Sequence, residues 1–205
     1  MMSGIFSFAI TKHTFRKAIR RQRQDRSLRK RCETVMPGML IINALLFSIG
    51  WLACLLGGTS WWLVIPVAAL LIHFQWVSSW TAEGKLVASV MLAGATLDSF
   101  LIQINVLGFP GEPTLVPLWL LLFWALLGTT INHSLAWSGR RWWLASATGA
   151  GTGALVYLAQ AWLADLSMPM GRETTLLILA AIWAVVFPLI HGFAHLYRQQ
   201  YQLRQ

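Results

Sequence analysis

Apolar runs of about 20 residues, separated by short polar breaks, decide what this chain can fold into. A helix of that length crosses the ~30 Å hydrocarbon core of a bilayer. Of the 205 residues, 57% are hydrophobic and only 11% are charged, whereas a soluble domain carries about 25% charged residues. The sequence therefore predicts an all-α polytopic membrane bundle. Six spans can be drawn, at 37–56, 61–80, 85–107, 115–137, 142–164 and 173–196.

The breaks between these spans are short and contain glycine, proline and serine, which favour turns. One break is placed at Glu83-Gly84, between the second and third spans. Because the connections are short, each helix should run antiparallel to the next. The chain then divides into a basic arm at 1–35, a six-helix domain at 36–197 and a short tail at 198–205.

The basic residues are distributed very unevenly along the chain. Ten of the sixteen Lys and Arg residues precede Pro37, so the net charge of +9 belongs to one arm and does not indicate nucleic acid binding. Cytoplasmic loops are enriched in Lys and Arg. An arrangement with both termini in the cytoplasm leaves only Arg172 on the opposite side. The residues that join the arm on the cytoplasmic side are Lys85, Arg140, Arg141, Arg198 and Arg204.

The arm itself allows three interpretations. Ile5, Phe8, Phe15 and Ile19 lie roughly on one helical face, which is typical of a basic helix on the surface of a membrane. Such a helix would bind anionic lipid head groups with about 1 kcal/mol per well-placed charge. The arm could equally be a disordered topology anchor, or Met36 could be the true first residue.

Asp98 lies near the middle of the third predicted span. A carboxylate at the centre of a bilayer costs roughly 2.5–3.5 kcal/mol, so it must face the protein interior. Gly94, Asp98 and Asn105 share one helical face by their spacing. Two roles remain open, a functional polar site and a hydrogen-bonded acid that bridges helices.

Other polar residues fall within or beside the same apolar runs. Asn132 and His133 lie near the end of the fourth span, and His133 could relay protons, bind a metal or act as an acid or base. Gly149 and Gly153 form a small-residue packing face one turn before Tyr157. We expect one interior pocket that binds substrate and opens toward the cytoplasm. Its predicted lining is Asn43, His73, Asp98, Asn132, His133 and, near the periplasmic floor, Tyr157.

Motifs for common membrane chemistry are missing. The five histidines do not form the His-rich boxes of a di-iron desaturase, and His191 and His195 are interpreted as residues of the membrane surface. The chain also lacks a Walker loop, a zincin motif and a nucleophile elbow. The sequence analysis therefore predicts no metal or cofactor and leaves the catalytic residues unassigned.

Several short motifs resemble one family. The segments are 43–57, 94–98, 117–119, 132–135 and 149–157. Together they are similar to a family of small, uncharacterised, multi-pass bacterial inner-membrane proteins that is known only as a domain of unknown function. The resemblance covers about 36–165 and implies a multi-pass fold in the inner membrane. Some relatives resemble companions of lipid-modifying enzymes, which implies a link to lipid metabolism.

Two classes of function follow from these observations. The first is a non-catalytic membrane module that handles a lipid or small solute, or assists lipid metabolism. The second is a membrane-embedded enzyme that uses Asp98 and His133 on a lipid-like substrate. The first is favoured because polar residues are sparse. The expected partners are the bilayer, anionic head groups at the arm, and other membrane or lipid-metabolism proteins.

Overall fold

A computed structural model describes residues 38–111 and 113–203. The predicted arm at 1–35 and the terminal Arg204 lie outside these residues. The described residues from Ile41 onward form one compact unit, which contains every contact discussed below. Within the described residues the fold is all-α, as predicted, with six α-helices and no β-strand. The helices are α1 (Gly38–Gly57), α2 (Val64–Ile72), α3 (Trp80–Gln103), α4 (Leu118–Thr130), α5 (Trp142–Leu163) and α6 (Arg172–Gln202).

Three of the helices, α1, α3 and α6, are long and apolar enough to cross a membrane. The second apolar segment, Trp61–Val77, and helix α4 are shorter. Helix α5 has 22 residues, but glycine, serine and threonine make up much of its first half and lower its hydropathy. The six predicted spans therefore correspond to six helical segments, of which three meet both the length and the hydropathy expected of a spanning helix.

The second predicted span is not a uniform α-helix. A short 3₁₀ turn, Trp61–Leu63, precedes α2, and the Ser60 side chain accepts the Trp62 amide at its start. After α2 the backbone widens into a π-helix, His73–Val77. Single π turns of this kind often occur at functional sites because they reorient a side chain. Here the π turn contains His73.

The predicted break at Glu83-Gly84 is wrong. Helix α3 begins at Trp80, and the Ser79 side chain accepts the backbone N–H of Ala82 at 3.3 Å. An N-cap serine satisfies one of the free amides at a helix start, and an acidic residue in the first turn complements the helix dipole. Glu83 therefore lies inside α3. At the other end, Asn105 lies beyond the helix with φ of 58° and does not share a helical face with Asp98.

The fourth span also ends earlier than predicted. The hydroxyls of Thr129 and Thr130 donate to carbonyls three residues earlier, at 2.6 and 2.7 Å. These side chains compete with the backbone bonds that would continue the helix. Residues 131–137 form turns, and a 3₁₀ turn, Ser138–Arg140, leads into α5. Asn132 and His133 are therefore presented by turns and not by a helix.

Glycines let neighbouring antiparallel helices approach closely, as predicted. A Cβ added at Gly94 of α3 would lie 1.9 Å from the Trp124 ring of α4. On α5, Gly153 faces the Trp183 ring of α6, and Gly149 faces the Trp183 carbonyl and the Phe187 Cβ. The Trp124 and Trp183 rings stack with centroids 5.0 Å apart. Two of these glycines thus leave room for the two indoles, and Gly149 lets the backbones of α5 and α6 approach each other.

Contacts at the two ends show that the helices alternate in direction. At one end, Gly108 and Ser167 exchange backbone hydrogen bonds of 3.0 and 2.8 Å, which joins the α3–α4 connection to the α5–α6 connection. At the opposite end, Ser138 contacts His191 of α6 at 2.9 Å. We call the first the Gly108 end and the second the Glu83 end.

Replacement of Gly94 by alanine should destabilise the bundle, because the new methyl group would overlap the Trp124 ring. Overpacking of this kind costs about 1–3 kcal/mol. Thermal unfolding of the purified protein in detergent measures the effect. Gly151→Ala is the matched control, since a Cβ added there meets no atom within 4 Å. Equal unfolding temperatures for the two variants would contradict the packing described.

Candidate functional site

The Glu83 carboxylate is the centre of a buried polar cluster at the Glu83 end. It lies in the first turn of α3, and its side chain is 7% exposed. His73 Nε2 is 3.0 Å from Oε2, and His133 Nε2 is 3.1 Å from Oε1 and 3.2 Å from Oε2. Both imidazoles therefore face one carboxylate, and each comes from a different segment of the chain.

His73 is held in position from both sides. Its carbonyl accepts the Ser78 amide at 2.9 Å, which closes the π-helix. Its side chain is 1% exposed, and its ring packs edge-on against His133 with centroids 5.3 Å apart. On the side away from Glu83, Nδ1 lies 3.3 Å from the Asn43 amide nitrogen.

The Asn43 side chain is oriented by two backbone groups near the end of α4. Its amide nitrogen donates to the Thr129 carbonyl at 3.1 Å, and its oxygen accepts from the Ser134 amide and hydroxyl at 3.3 and 2.8 Å. A carbonyl can only accept and an amide N–H can only donate, so the Asn43 nitrogen must face His73. In this state His73 Nδ1 accepts and its Nε2–H donates to Glu83.

His133 forms the accessible edge of the cluster. Its side chain is 17% exposed, compared with 7% for Glu83. The adjacent Asn132 side chain also lies near Glu83, and its buried Oδ1 has no hydrogen-bond partner. A ligand from outside the bundle would therefore approach the Glu83 carboxylate on the side of His133 and Asn132.

One nitrogen from each histidine and one oxygen of Glu83 lie within 4.8 Å of one another. A carboxylate with two imidazoles can exchange protons, bind a cation or accept hydrogen bonds from a polar ligand. Of the six residues predicted to line one pocket, the structure brings Asn43, His73, Asn132 and His133 together around Glu83. Glu83 itself was missed because it was assigned to a break. The N-cap serine followed by an acidic first turn was the signal that could have located it.

Asp98 lies in a different place. It is fully buried, accepts Trp124 Nε1–H at 2.6 Å, and accepts the hydroxyl of Tyr157. It follows Glu83 by 15 residues on α3, which is about 22 Å along a helix at 1.5 Å per residue. The single pocket expected from the sequence is therefore not formed, because Asp98 and Tyr157 belong to a separate cluster. Substrate binding by the six predicted residues stays a prediction.

The comparison with protein families gives a match over residues 40–189, to the family described as "Protein of unknown function (DUF2878)". The chain belongs to the DUF2878 family. The matched region contains both clusters and extends beyond the 36–165 resemblance noted above. No curated protein and no solved structure matches the chain. Family membership thus confirms the resemblance without assigning an activity.

Removal of the Tyr157 hydroxyl should destabilise the protein through Asp98. A hydrogen bond to a charged group contributes about 1.5–3 kcal/mol, so Tyr157→Phe should lower the free energy of unfolding by that amount. In an Asp98→Ala background the same change should cost much less, because the acceptor is already gone. Denaturant unfolding followed by tryptophan fluorescence measures both steps.

Tyr197→Phe provides the control for this cycle. The Tyr197 hydroxyl pairs with Ser89 at 2.9 Å and makes no bond to Asp98. Tyr197→Phe should change the free energy of unfolding by the same amount with and without Asp98, because the effects of mutations at distant sites add within about 0.5 kcal/mol. Additive behaviour of Tyr157→Phe and Asp98→Ala would show that the two groups do not interact.

Proposed function

We propose that this DUF2878 protein is a multi-pass protein of the bacterial inner membrane with six spans and both termini in the cytoplasm. Exposed apolar side chains support membrane immersion, because they form stripes along α1 and α6. Apolar surfaces of this extent mark membrane or protein contacts. The stripe residues are Ile41, Leu45, Ile49, Leu52 and Leu56 on α1, and Leu177, Val185, Leu189, Phe193 and Leu196 on α6.

The distribution of basic residues supports this orientation. Arg140 and Arg141 lie beside Ser138 at the Glu83 end, and Arg198 follows His191 on α6 at that end. Arg172 lies at the opposite end, where its guanidinium is 5.4 Å from the centroid of the Trp162 ring. Cytoplasmic segments carry the excess of Lys and Arg. The Glu83 end is therefore proposed to be the cytoplasmic end.

Within this bundle, the Glu83 cluster is proposed to bind the polar group of a lipid or small solute without chemical conversion. The observation that carries the proposal is a buried carboxylate with two imidazole partners inside an apolar helix that could span a membrane. Ionisable groups in such positions are costly and usually functional. The cluster lies at the Glu83 end, which carries most of the basic residues. There it could contact lipid head groups and other lipid-metabolism proteins. The basic residues before Pro37 are proposed to bind anionic head groups.

Asp98 has a structural part in this proposal. Both of its oxygens already accept a donor from the protein, and no part of it is exposed. A group enclosed in this way holds helices together and does not contact a substrate. The alternative that Asp98 and His133 act together on one substrate is disfavoured because His133 contacts Glu83, which precedes Asp98 by 15 residues on α3.

A second candidate, a membrane-embedded enzyme acting on a lipid-like substrate, is favoured by one observation. His133 pairs with Glu83 at 3.1 Å and is partly exposed, as general acid–base catalysis by an imidazole requires. Incubation of the purified protein with the cell's own lipid extract separates the two candidates. A new lipid species that is lost in His133→Ala would establish the enzyme, and an unchanged extract supports the module.

Reporter fusions test the proposed topology. Fusions after Gly58, Gly111 and Pro169 should report a periplasmic position, because each follows a segment that leaves the Glu83 end. Fusions after Ser79, Gly139 and Gln205 should report a cytoplasmic position. Paired phosphatase and fluorescent-protein reporters give opposite signals for the two sides. A periplasmic C-terminus would contradict the arrangement.

Complementation tests the proposed site. Deletion of the gene should change the lipid composition of the cell, and the wild-type protein should restore it. Glu83→Gln and His133→Ala should fail to restore it, because each alters one partner of the contact between His133 and the Glu83 carboxylate. His195→Ala is the control, since His195 is exposed on α6. Full restoration by Glu83→Gln, at equal protein level in the membrane, would refute the site.

A further inference from the structure

We propose that His73, Glu83 and His133 bind a divalent transition-metal ion. This inference deepens the proposed function and rests on it only in taking the Glu83 cluster as the functional site. Three donor atoms of these residues lie within 4.8 Å of one another. No metal was predicted from the sequence, because Glu83 had been assigned to a connection between helices.

The distances suit a metal ion that replaces the hydrogen-bonded protons. Zinc–nitrogen and zinc–oxygen bonds are about 2.0–2.2 Å long, so two donors of a tetrahedral site lie about 3.3–3.5 Å apart. The histidine nitrogens are 3.0 and 3.1 Å from the carboxylate oxygens. The two nitrogen–oxygen pairs would therefore need shifts of a few tenths of an ångström. The two histidine nitrogens, which lie within 4.8 Å of each other, would need to come closer by up to about 1.3 Å.

The donor set indicates the class of metal. Two imidazoles and one carboxylate suit Zn²⁺ and Fe²⁺, whereas Mg²⁺ and Ca²⁺ prefer sites made of oxygen ligands. Three protein ligands leave at least one coordination position open. The donors come from the π-helix, the first turn of α3 and the turns after α4. The site therefore exists only in the folded bundle.

The surroundings favour a bound cation. The carboxylate and His73 are almost wholly buried in an apolar helical bundle, where an uncompensated negative charge is costly. The buried Asn132 Oδ1 near Glu83 lacks a hydrogen-bond donor. A water molecule on the open coordination position could donate to it. His133, the most exposed of the three ligands, provides the route of entry.

Nε2 of each histidine ligates only as a free lone pair, so the proton on His73 Nε2 must leave that atom when a metal binds. At His73 the ring proton would move to Nδ1, which faces the Asn43 nitrogen at 3.3 Å. Because that nitrogen is itself a donor, metal binding requires the Asn43 amide to rotate or move away. Metal ligands are usually supported by an acceptor at that position. Because protons compete with the metal for these ligand atoms, affinity should fall at acidic pH.

Metal analysis of the full-length protein tests the proposal. The protein is purified through a tag without histidines, stripped with a chelator, and titrated with Zn²⁺ against a chromophoric competitor. We expect one equivalent of Zn²⁺ at a single site. Glu83→Gln, which nearly preserves the side-chain shape, should weaken binding at least about tenfold, with an unchanged near-ultraviolet circular dichroism spectrum as evidence of folding. His195→Ala should bind as the wild type does.

Three results would overturn the metal site. They are the absence of stoichiometric binding of Zn²⁺, Co²⁺ and Fe²⁺, binding that Glu83→Gln leaves unchanged, and binding that His195→Ala abolishes. These failures are distinguishable from failure of the proposed function. If no metal binds but Glu83→Gln still fails to complement a deletion strain, the polar site stands and its metal does not. If metal binds and Glu83→Gln complements fully, the metal stands and the functional role does not.

Discussion

Inside an apolar bundle, a carboxylate is tolerated only if donors from other parts of the protein reach it. The structure meets this requirement twice along α3. Two histidines reach Glu83 near the start of the helix, and Trp124 and Tyr157 reach Asp98 further along it. The local irregularities of the fold have a common explanation in these contacts. The π-helix turns His73 toward Glu83, and the early end of α4 frees His133 and the Thr129 carbonyl.

The two carboxylates differ in what surrounds them. Asp98 is enclosed by aromatic side chains, since Trp124 stacks on Trp183 and Gly94 leaves room for the Trp124 ring. Its contacts connect α3, α4 and α5 and leave no exposed edge. Glu83 has a partly exposed histidine beside it and an amide oxygen without a hydrogen-bond partner nearby. A ligand therefore has a way to approach Glu83 and none to approach Asp98.

Much of this fold could be predicted from the sequence, because apolar run length and small-residue spacing are local signals. The helical segments, the packing of Gly94, Gly149 and Gly153, and the burial of Asp98 all follow from such signals. The site was predicted less well. Glu83 comes only four residues after Ser79, so the position of the helix start decides whether Glu83 belongs to the break or to the helix. Its N-cap at Ser79 places it in the helix.

The expectation of one pocket failed for a different reason. Depth in a bilayer was inferred for each residue separately, and no pattern in a single sequence shows which helices contact one another. The end of α4 illustrates the same limit. Asn132 and His133 continue an apolar run, and only the bonds from Thr129 and Thr130 back to the preceding carbonyls show that the helix stops before them.

A pair of double-mutant cycles on the free energy of unfolding tests the central claim that Glu83 and Asp98 belong to separate networks. Glu83→Gln combined with His73→Ala should show a coupling energy of at least about 1 kcal/mol, because the two side chains share a buried hydrogen bond. Glu83→Gln combined with Asp98→Asn should be additive within about 0.5 kcal/mol. Strong coupling between Glu83 and Asp98, with none between Glu83 and His73, would contradict the structure described.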